Sequence, residues 1–343
     1  MAAVLYGKEN VRVEEIDVPQ IGPDEVLVKV NVALTCGTDL KVYRQGFHAR
    51  MIVPPSIFGH ELAGTVCKVG EQVEQFEEGT RVVAANSAPC NECLFCRKDL
   101  ENLCERLLFN NGAYAEYIRI PGPIVRKNLL VIPDHISDSD AALVEPLACV
   151  LRGLEEIGVN RGDTVAVIGL GPIGLMFVRT AKLRGASVIA IGKRHAQIES
   201  ALRMGATDAI DISHTADAVA AVKHLSPGGV DVAIEAVGNP TTWQWATAMV
   251  RRGGTVNFFG GCPSGSIVHL DTALLHYSEI TLRATFHHTP YYIRRALQAI
   301  ACGDIRGEDL ITAEAPLSRL PDVLRQLASR NGDLKTAILP SGG

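Results

Sequence analysis

Residues 164–180 read "TVAVIGLGPIGLMFVRT": a short β-branched run, a glycine-rich turn and a stretch with helical spacing. Gly169, Gly171 and Gly174 have the spacing G-x-G-x-x-G. After a strand, the first glycine makes a tight turn, the second admits a close approach to the backbone, and the third lets the helix pack against the strand. The stretch therefore predicts a strand, a turn and a helix that open a parallel sheet.

Strands and helices continue to alternate after this stretch. Short runs such as "SVIAIG", "DVAIEAVG" and "TVNFFG" are separated by helical segments up to about residue 288. This alternation predicts an α/β fold with a doubly wound parallel sheet and right-handed crossovers. The first half reads differently, because "VLVKVNVALT", "ELAGTVCKVG" and "TRVVAA" indicate a β-rich region. A length of 343 residues suggests two domains.

The glycine turn is typical of a dinucleotide site, where a diphosphate lies at the helix N-terminus. A plain strand–helix turn is the alternative. Val237 and Gly238, the last two residues of "DVAIEAVG", are predicted to belong to the same site as the turn. The predicted cofactor-binding residues are Gly169, Gly171, Pro172, Ile173, Gly174, Val237 and Gly238.

The end of the next strand, "SVIAIGKR", predicts which dinucleotide binds. An Asp or Glu at this point would accept hydrogen bonds from the adenosine ribose. The chain has Gly192 there, followed by Lys193 and Arg194. Without a carboxylate, two cations can pair with a 2′-phosphate. We therefore predict NADP(H) over NAD(H); two surface cations beside a loop glycine are the alternative.

Four of the nine cysteines lie in "APCNECLFCRKDLENLC", residues 88–104. A disulfide knot, a redox pair and a metal cage are the possible explanations. An odd cysteine total fits poorly with a full set of bridges, and no thioredoxin-like unit surrounds the C-x-x-C spacings. We predict a closed, structural zinc site in a lobe of about residues 86–108. Its ligands would be Cys90, Cys93, Cys96 and Cys104.

A second, dispersed set offers one sulfur, one nitrogen and one oxygen: Cys36, His60 and Glu145. Three protein ligands with an open fourth position are typical of catalytic zinc. Glu61 could also reach the ion, or could order the ligands from behind. Spacing alone leaves two ordinary alternatives open, since a lone cysteine is usually buried filler and Glu145 could be a charge at a helix start.

Charge and hydropathy argue against several classes of partner. The formal net charge of −5 gives no reason to expect nucleic acid or an anionic membrane surface. The first residues lack the apolar segment of a secretory signal, and no uncharged apolar run approaches the roughly 20 residues that span a bilayer. We expect a cytoplasmic protein with a small-molecule substrate and no membrane partner.

The chain resembles the zinc-dependent medium-chain alcohol and polyol dehydrogenases over essentially its whole length. The residues that carry the resemblance are "CGTD", "GHELAGTV", the four-cysteine lobe, "GAYAEY", "EPLAC" and "GLGPIGL", in the family's order and spacing. The glutamate in "EPLAC" is more similar to the sorbitol and threonine dehydrogenase branches than to the classical ethanol enzymes.

The resemblance implies a domain organisation and an assembly. A GroES-like β-rich catalytic domain would comprise residues 1–148 and 289–343, and a Rossmann domain residues 149–288. Family members are usually homodimers or homotetramers, and "GTVNFFGG" could supply an edge strand for sheet extension between subunits. The resemblance also implies one catalytic and one structural Zn²⁺, with Glu61 or Glu145 as the third ligand of the catalytic ion.

The implied reaction is hydride transfer between a secondary alcohol and the nicotinamide, with zinc polarising the substrate oxygen. Thr38 matches the hydroxyl that takes the substrate proton in this family, and a helix N-cap is its alternative role. The family often has a histidine where Lys41 stands. A lysine is ordinarily protonated at neutral pH and cannot accept a proton, so either burial changes Lys41, or protons leave through water or His48.

The polyol branch suggests a substrate with a secondary hydroxyl beside another polar group, giving a ketone. Candidate lining residues are Tyr43, Phe58, Glu116, His287 and His288. The two histidines could instead cap the following helix. A threonine-type dehydrogenase, or a carbonyl reductase that uses NADPH, is the alternative enzyme. A non-catalytic zinc- and dinucleotide-binding sensor is the alternative outside enzymes.

Overall fold

The computed structural model describes residues 1–48, 51–329 and 334–340. The chain forms two compact units, Met1–Ala148 with His288–Gly343, and Cys149–His287. The expected boundary after residue 288 therefore lies one residue too late, because His288 belongs to the first unit. No helix in the described ranges is long and apolar enough to cross a membrane.

The N-terminal part of the chain is rich in short strands. They are β1 (Ala2–Gly7), β2 (Asn10–Glu14), β3 (Val26–Leu34), β4 (Ser56–Ile57), β5 (Glu61–Val69), β6 (Arg81–Ala84), β7 (Ser87–Ala88), β8 (Leu108–Phe109), β9 (Tyr117–Ile120) and β10 (Leu129–Val131). Its helices are α1 (Gly37–Gln45), α2 (Gly122–Asn128), α3 (Asp138–Ala141) and α4 (Val144–Glu156).

The central part alternates strictly between strands and helices. Its strands are β11 (Thr164–Ile168), β12 (Ser187–Gly192), β13 (Asp208–Asp211), β14 (Val230–Glu235), β15 (Val250–Phe258) and β16 (Thr281–Ala284). The helices between them are α5 (Pro172–Leu183), α6 (His195–Arg203), α7 (Ala218–Leu225), α8 (Pro240–Met249) and α9 (Thr272–Tyr277). The C-terminal part adds α10 (Pro290–Ala301), β17 (Ile311–Pro316), α11 (Leu320–Ala328) and β18 (Lys335–Leu339).

The sheet of the first unit brings distant segments together. Its order is β10-β6-β5-β3-β18-β17, and β9 also pairs with β3. β3 and β5 are antiparallel, with Leu34 opposite Glu61, and β18 pairs with the same end of β3, with Ala337 opposite Leu34. The start of β5, the end of β3 and β18 therefore meet at one point, although they are far apart in the sequence.

The second unit is a parallel sheet in the order β13-β12-β11-β14-β15-β16. Buried β-branched and aliphatic side chains of its strands form one hydrophobic core with α7 and α8. The prediction of a doubly wound Rossmann sheet is confirmed. The suggestion that "GTVNFFGG" forms an edge strand is wrong, because β15 pairs with both β14 and β16. In the described part of the chain, the edge strands of this sheet are β13 and β16.

In the glycine turn between β11 and α5, the backbone of the turn packs closely against the backbone of the first helical turn. Gly169 has a φ of 94°, in the left-handed region that favours glycine. A Cβ at Gly174 would lie only 1.7 Å from the carbonyl oxygen of Gly169. A Cβ at Gly171 would meet no heavy atom within 4 Å. The third glycine is thus required for packing, whereas the second faces open space.

We predict that Gly174→Ala lowers the thermal unfolding midpoint by about 2–4 °C, because overpacking of this kind costs about 1–3 kcal/mol. Gly171→Ala is the matched control, since its φ of −70° suits alanine, and it should change the midpoint by no more than about 1 °C. Circular dichroism melting without cofactor gives both values. Equal midpoints for the two variants would contradict the packing role of Gly174.

Candidate active site and metal centres

The four clustered cysteines converge on one point. The sulfur atoms of Cys90, Cys93, Cys96 and Cys104 all lie within 4.8 Å of one another. The Sγ–Sγ distances are 3.9 Å for Cys90–Cys96, 3.6 Å for Cys93–Cys96 and 3.9 Å for Cys93–Cys104. A tetrahedral zinc with Zn–S bonds of about 2.3 Å has sulfur atoms about 3.8 Å apart. The distances fit a metal cage and are far from the roughly 2.05 Å of a disulfide.

Backbone groups around the lobe favour thiolates. The backbone N–H of Cys90 donates to Sγ of Cys104 at 3.3 Å, and that of Glu92 donates to Sγ of Cys90 at 3.5 Å. The Glu92 N–H lowers the pKa of Cys90 to about 6, whereas burial raises the pKa of Cys96 to about 12. A bound cation favours the deprotonated form at all of these positions.

A second cluster lies where β3 and β5 meet. Cys36 follows β3 and is the N-cap of α1, while His60 and Glu61 stand at the start of β5. One ligand atom from each of Cys36, His60 and Glu61 lies within 4.8 Å of the others. His60 and Glu61 are buried, with 4% and 0% of their surface exposed. Sulfur, nitrogen and oxygen donors are thus brought together in the pattern of a catalytic zinc site.

Asp39 fixes the imidazole of His60. Its Oδ1 lies 3.2 Å from Nδ1 of His60, an ion-pair contact whose geometry falls short of a straight hydrogen bond. Its Oδ2 accepts from the backbone N–H of Cys36 at 3.1 Å and from the hydroxyl of Tyr114 at 2.6 Å. With Nδ1 turned towards Asp39, Nε2 is the atom of His60 available to a metal.

The charges near His60 also set its protonation. Burial lowers the pKa of His60, but the charges of Asp39 and Cys36 outweigh burial and raise this pKa well above its ordinary value. The negative groups beside His60 thus favour a positive charge at this position, which a bound metal cation would also supply.

Lys335 of β18 is the cation behind Glu61. Its Nζ forms an ion pair with Oε2 of Glu61 and donates to the backbone oxygen of Thr35 at 3.0 Å. Burial raises the pKa of Glu61, and the charge of Lys335 opposes that rise. Oε1 of Glu61 is buried and has no hydrogen-bond partner in the described part of the chain. A buried oxygen of this kind fits a metal ligand.

Glu145 stands apart from this cluster. It lies in the first turn of α4, and its Oε1 is 3.7 Å from Nε2 of His288. Burial raises the pKa of Glu145 to about 7. Of the two glutamates considered as the third ligand, the structure brings Glu61, and not Glu145, within 4.8 Å of Cys36 and His60.

The residues considered for proton transfer lie on or beside α1. Thr38 is the second residue of this helix and half-buried. Its alternative role as an N-cap is wrong, because Cys36 holds that position. Lys41 is exposed on α1, so the buried environment required by one relay alternative is absent. His48 is half-buried and pairs through its backbone with Ile52.

Three of the suggested substrate contacts have other partners. Tyr43 and Phe58 are 5% and 0% exposed within the core of the first unit, and Phe58 packs edge-on against Tyr114 at 5.0 Å. Glu116 forms an ion pair with the amino group of Met1 at 2.5 Å.

The two histidines suggested as substrate contacts have hydrogen bonds of their own. Nε2 of His288 lies 3.1 Å from Oδ1 of Asn86. His287, in the second unit, has a φ of 68°, and its backbone oxygen accepts from Arg152 at 3.2 Å. The N-cap of α10 is Thr289, so neither histidine occupies the capping position.

The predicted dinucleotide residues lie at the carboxyl ends of the strands in the second unit. Gly171 is the N-cap of α5, with Pro172 and Ile173 in its first turn. A Cβ at Gly169 would lie 2.6 Å from Cγ2 of Val237, so the loop after β14, which includes Gly238, borders the glycine turn. A helix N-terminus beside open space at Gly171 fits a diphosphate.

The end of β12 lacks the carboxylate that an NAD(H) site uses, and a side chain at Gly192 would require Leu170 to shift. A Cβ at Gly192 would lie 2.6 Å from Cδ1 of Leu170, the residue between the first two glycines of the turn. Lys193 and Arg194 follow and are exposed, with Arg194 at the N-cap of α6. Both cations are therefore presented to solvent beside the predicted site.

Several residues that build the site went unassigned in the sequence. Asp39 lies within the quoted "CGTD" and Tyr114 within "GAYAEY", but neither pattern shows what a side chain contacts. Lys335 is a lysine at the start of an apolar strand, and Glu235 is a carboxylate at the end of one. Charges inside such β-branched runs are the signal that could have found them.

Comparisons with known proteins agree with this architecture. Residues 22–134 match the family model of the alcohol dehydrogenase GroES-like domain, and residues 172–301 match that of zinc-binding dehydrogenases. A sorbitol dehydrogenase of Bacillus subtilis is 34% identical over 349 residues, covering 99% of this chain and 97% of the relative. An L-threonine 3-dehydrogenase of Bacillus licheniformis is 37% identical over 258 residues, 73% of each chain.

A solved structure matches over the same extent. A protein from Sinorhizobium meliloti 1021, described as a zinc-binding dehydrogenase and bound to NADP, superposes with a TM-score of 0.90 at 32% identity. The match covers 99% of this chain and 98% of that one. With two family models matched and relatives similar over nearly their full length, the chain belongs to the zinc-dependent medium-chain alcohol and polyol dehydrogenases.

Proposed function

We propose that this protein oxidises a secondary alcohol of the polyol or sugar-alcohol type to a ketone, passing hydride to a nicotinamide dinucleotide. The observation that carries the proposal is the cluster of Cys36, His60 and Glu61, with its buried and unsatisfied Glu61 oxygen. The similarity to a sorbitol dehydrogenase over 99% of the chain supports the class of substrate.

The protein side chains hold and orient the reacting groups. Cys36, His60 and Glu61 are the proposed metal ligands, and Asp39 and Lys335 fix two of them from behind. A zinc ion held there supplies a Lewis acid that polarises the alcohol oxygen and lowers the pKa of its hydroxyl.

We assign the substrate proton to Thr38. Its position two residues after Cys36, in the first turn of α1, supports this role. From there the proton would pass to water or to His48, since Lys41 is exposed.

We propose that NADP(H) is preferred over NAD(H). The absence of a carboxylate at the end of β12, where Gly192 stands, supports this preference, as do the exposed cations Lys193 and Arg194. A 2′-phosphate is dianionic or nearly so at neutral pH, and a guanidinium with an ammonium can pair with it.

We propose two zinc ions per chain, one at the cluster of Cys36 and one in the four-cysteine lobe. Sulfur distances of 3.6–3.9 Å support the second ion. A closed shell of four thiolates has no position for a substrate, so this ion would stabilise the lobe.

We further propose a cytoplasmic homo-oligomer, either a dimer or a tetramer. The edge strand β16 supports assembly, because three of its four residues are exposed and an open edge can pair with a second copy. The nine cysteines are all unbridged, which suits a reducing compartment.

A threonine-type dehydrogenase is the second candidate, because the Bacillus licheniformis enzyme shares 37% identity over 73% of the chain. A carbonyl reductase driven by NADPH would use the same groups in the reverse direction. A non-catalytic sensor is disfavoured, because Cys36 and His60 are both present and offer, with Glu61, the three protein ligands that are typical of catalytic zinc.

A substrate panel tests the proposed reaction. We expect sorbitol-like polyols to give a kcat/KM at least about tenfold above that of L-threonine or simple secondary alcohols. His60→Ala should abolish turnover of every substrate while still binding cofactor, and serves as the control for contaminating activity. Preference for L-threonine would replace the polyol assignment with the second candidate.

Metal content separates the two proposed zinc sites. Elemental analysis should find about two zinc ions per wild-type chain and about one in Cys36→Ser and Cys93→Ser. Cys36→Ser should unfold at nearly the wild-type temperature but be inactive, whereas Cys93→Ser should melt earlier. Equal losses of stability in the two variants would contradict the division into catalytic and structural metal.

Removal of the two cations tests the cofactor preference. The double variant Lys193→Ala/Arg194→Ala should raise the KM for NADP⁺ by about tenfold or more and leave that for NAD⁺ within about twofold. Lys223→Ala, on the distant helix α7, is the charge control. A wild-type enzyme that turns over NAD⁺ more efficiently than NADP⁺ would contradict the proposal.

A further inference from the structure

Glu235 is a buried carboxylate at the carboxyl end of β14, with 0% of its surface exposed. Burial raises the pKa of Glu235, and the hydrogen bonds of Thr242, Gly238 and Val237 oppose that rise. These donors and the backbone N–H of Asn239, all neutral, act on the carboxylate, and no ion pair of Glu235 is found in the described part of the chain. An ionised group in such a place is costly unless it is well hydrogen-bonded.

The carboxylate of Glu235 closes the loop that follows β14. Its Oε1 accepts from the backbone N–H of Val237 at 3.0 Å and of Gly238 at 2.9 Å. It also accepts from the hydroxyl of Thr242, in the first turn of α8, at 2.6 Å. The N–H of Gly238 is shared with Oε2 at 3.2 Å.

The backbone of Glu235 holds a second loop, the one after β15. Its carbonyl oxygen accepts from Phe259 N–H at 3.0 Å and from Gly260 N–H at 2.8 Å. A Cβ at Gly260 would lie 2.3 Å from the nitrogen of Gly238 and 2.6 Å from Oε2 of Glu235. A Cβ at Gly238 would lie 2.4 Å from the oxygen of Gly261. The two loops are thus pressed together with Glu235 between them.

These loops border the glycine turn. Val237 lies against Gly169, as the 2.6 Å distance from a Cβ at Gly169 to Cγ2 of Val237 shows, and 49% of its surface is exposed. In a doubly wound sheet, a dinucleotide binds along the carboxyl ends of adjacent strands. A loop that is already ordered before binding costs less entropy when the ligand arrives.

We propose that Glu235 is a positioning residue for the dinucleotide, which orders the loops after β14 and β15 into the wall that the cofactor contacts. The inference rests on the proposed dinucleotide site. The role of Glu235, ordering the two loops, is distinct from those of the proposed zinc ligands and of the glycines in the turn. Glu235 does not touch the cofactor in this account; Val237 and Gly238 do.

Glu235→Gln is the direct test, because glutamine has nearly the same shape but replaces one acceptor oxygen with a donor. The dissociation constant and the KM of the dinucleotide should rise by about tenfold. The kcat at saturating cofactor, the KM of the alcohol and the zinc content should stay within about twofold of wild type. This split between KM and kcat distinguishes positioning from a general loss of structure.

A pair of threonines on α8 supplies a matched control. Thr242 and Thr247 are both buried, but the hydroxyl of Thr247 bonds to the backbone oxygen of Trp243 at 3.0 Å and not to Glu235. Thr242→Val should weaken dinucleotide binding several-fold, and Thr247→Val should not. If Glu235→Gln does not fold, these two variants still test whether the contact with Glu235 affects dinucleotide binding.

Binding is measured by fluorescence titration with whichever of NADPH and NADH the wild type binds more tightly, so an error in the proposed preference does not affect the comparison. A folded Glu235→Gln with wild-type affinity would overturn the inference. Equal affinities of Thr242→Val and Thr247→Val would also overturn it. Inactivity of the wild type towards alcohols, with these binding differences intact, would instead refute the proposed reaction alone.

Discussion

The antiparallel pairing of β3 with β5 is the constraint on which the active site depends. Leu34 lies opposite Glu61. Cys36, two residues after Leu34, and His60, one residue before Glu61, are therefore close enough for both to reach one ion. A slip of one residue would turn every side chain of a strand to the other face of the sheet. The buried aliphatic side chains of β3 and β5 oppose such a slip, and hydrophobic packing thereby fixes the positions of the proposed metal ligands.

The same junction concentrates negative charge. Asp39 and Glu61 are fully buried, Cys36 adds a third acidic group, and Lys335 is the buried cation that faces Glu61. Removing charged groups from water is costly unless partners compensate them. The proposed divalent cation would compensate this negative charge, which is why the cluster suits a metal better than an empty pocket. Asp39 and Lys335 then orient the ligands rather than bind the ion themselves.

Local patterns in the sequence predict most of the fold. They do not predict contacts between residues that are far apart in the sequence. Glycine spacing and strand–helix alternation predicted the Rossmann sheet, because they depend on neighbouring residues. The pairing of Lys335 with Glu61 joins residues that are 274 positions apart, and no periodic pattern in the sequence predicts it. The sequence suggests β15 as an edge strand, whereas it lies between β14 and β16, because apolar composition does not reveal how many neighbours a strand has. Glu235 ends β14, and no local pattern shows that its carboxylate turns back to the loop after β14 while its backbone oxygen holds the loop after β15.

The central claim is that Cys36, His60 and Glu61 share one metal ion. Anomalous diffraction from crystals at the zinc absorption edge tests it most directly. The account predicts two peaks per chain: one centred among the four clustered sulfur atoms, the other about 2.3 Å from Cys36 and about 2.0–2.2 Å from His60 and Glu61. A second peak bound by Glu145 with Glu61 remote from it, or no second peak in zinc-saturated crystals, would contradict the account.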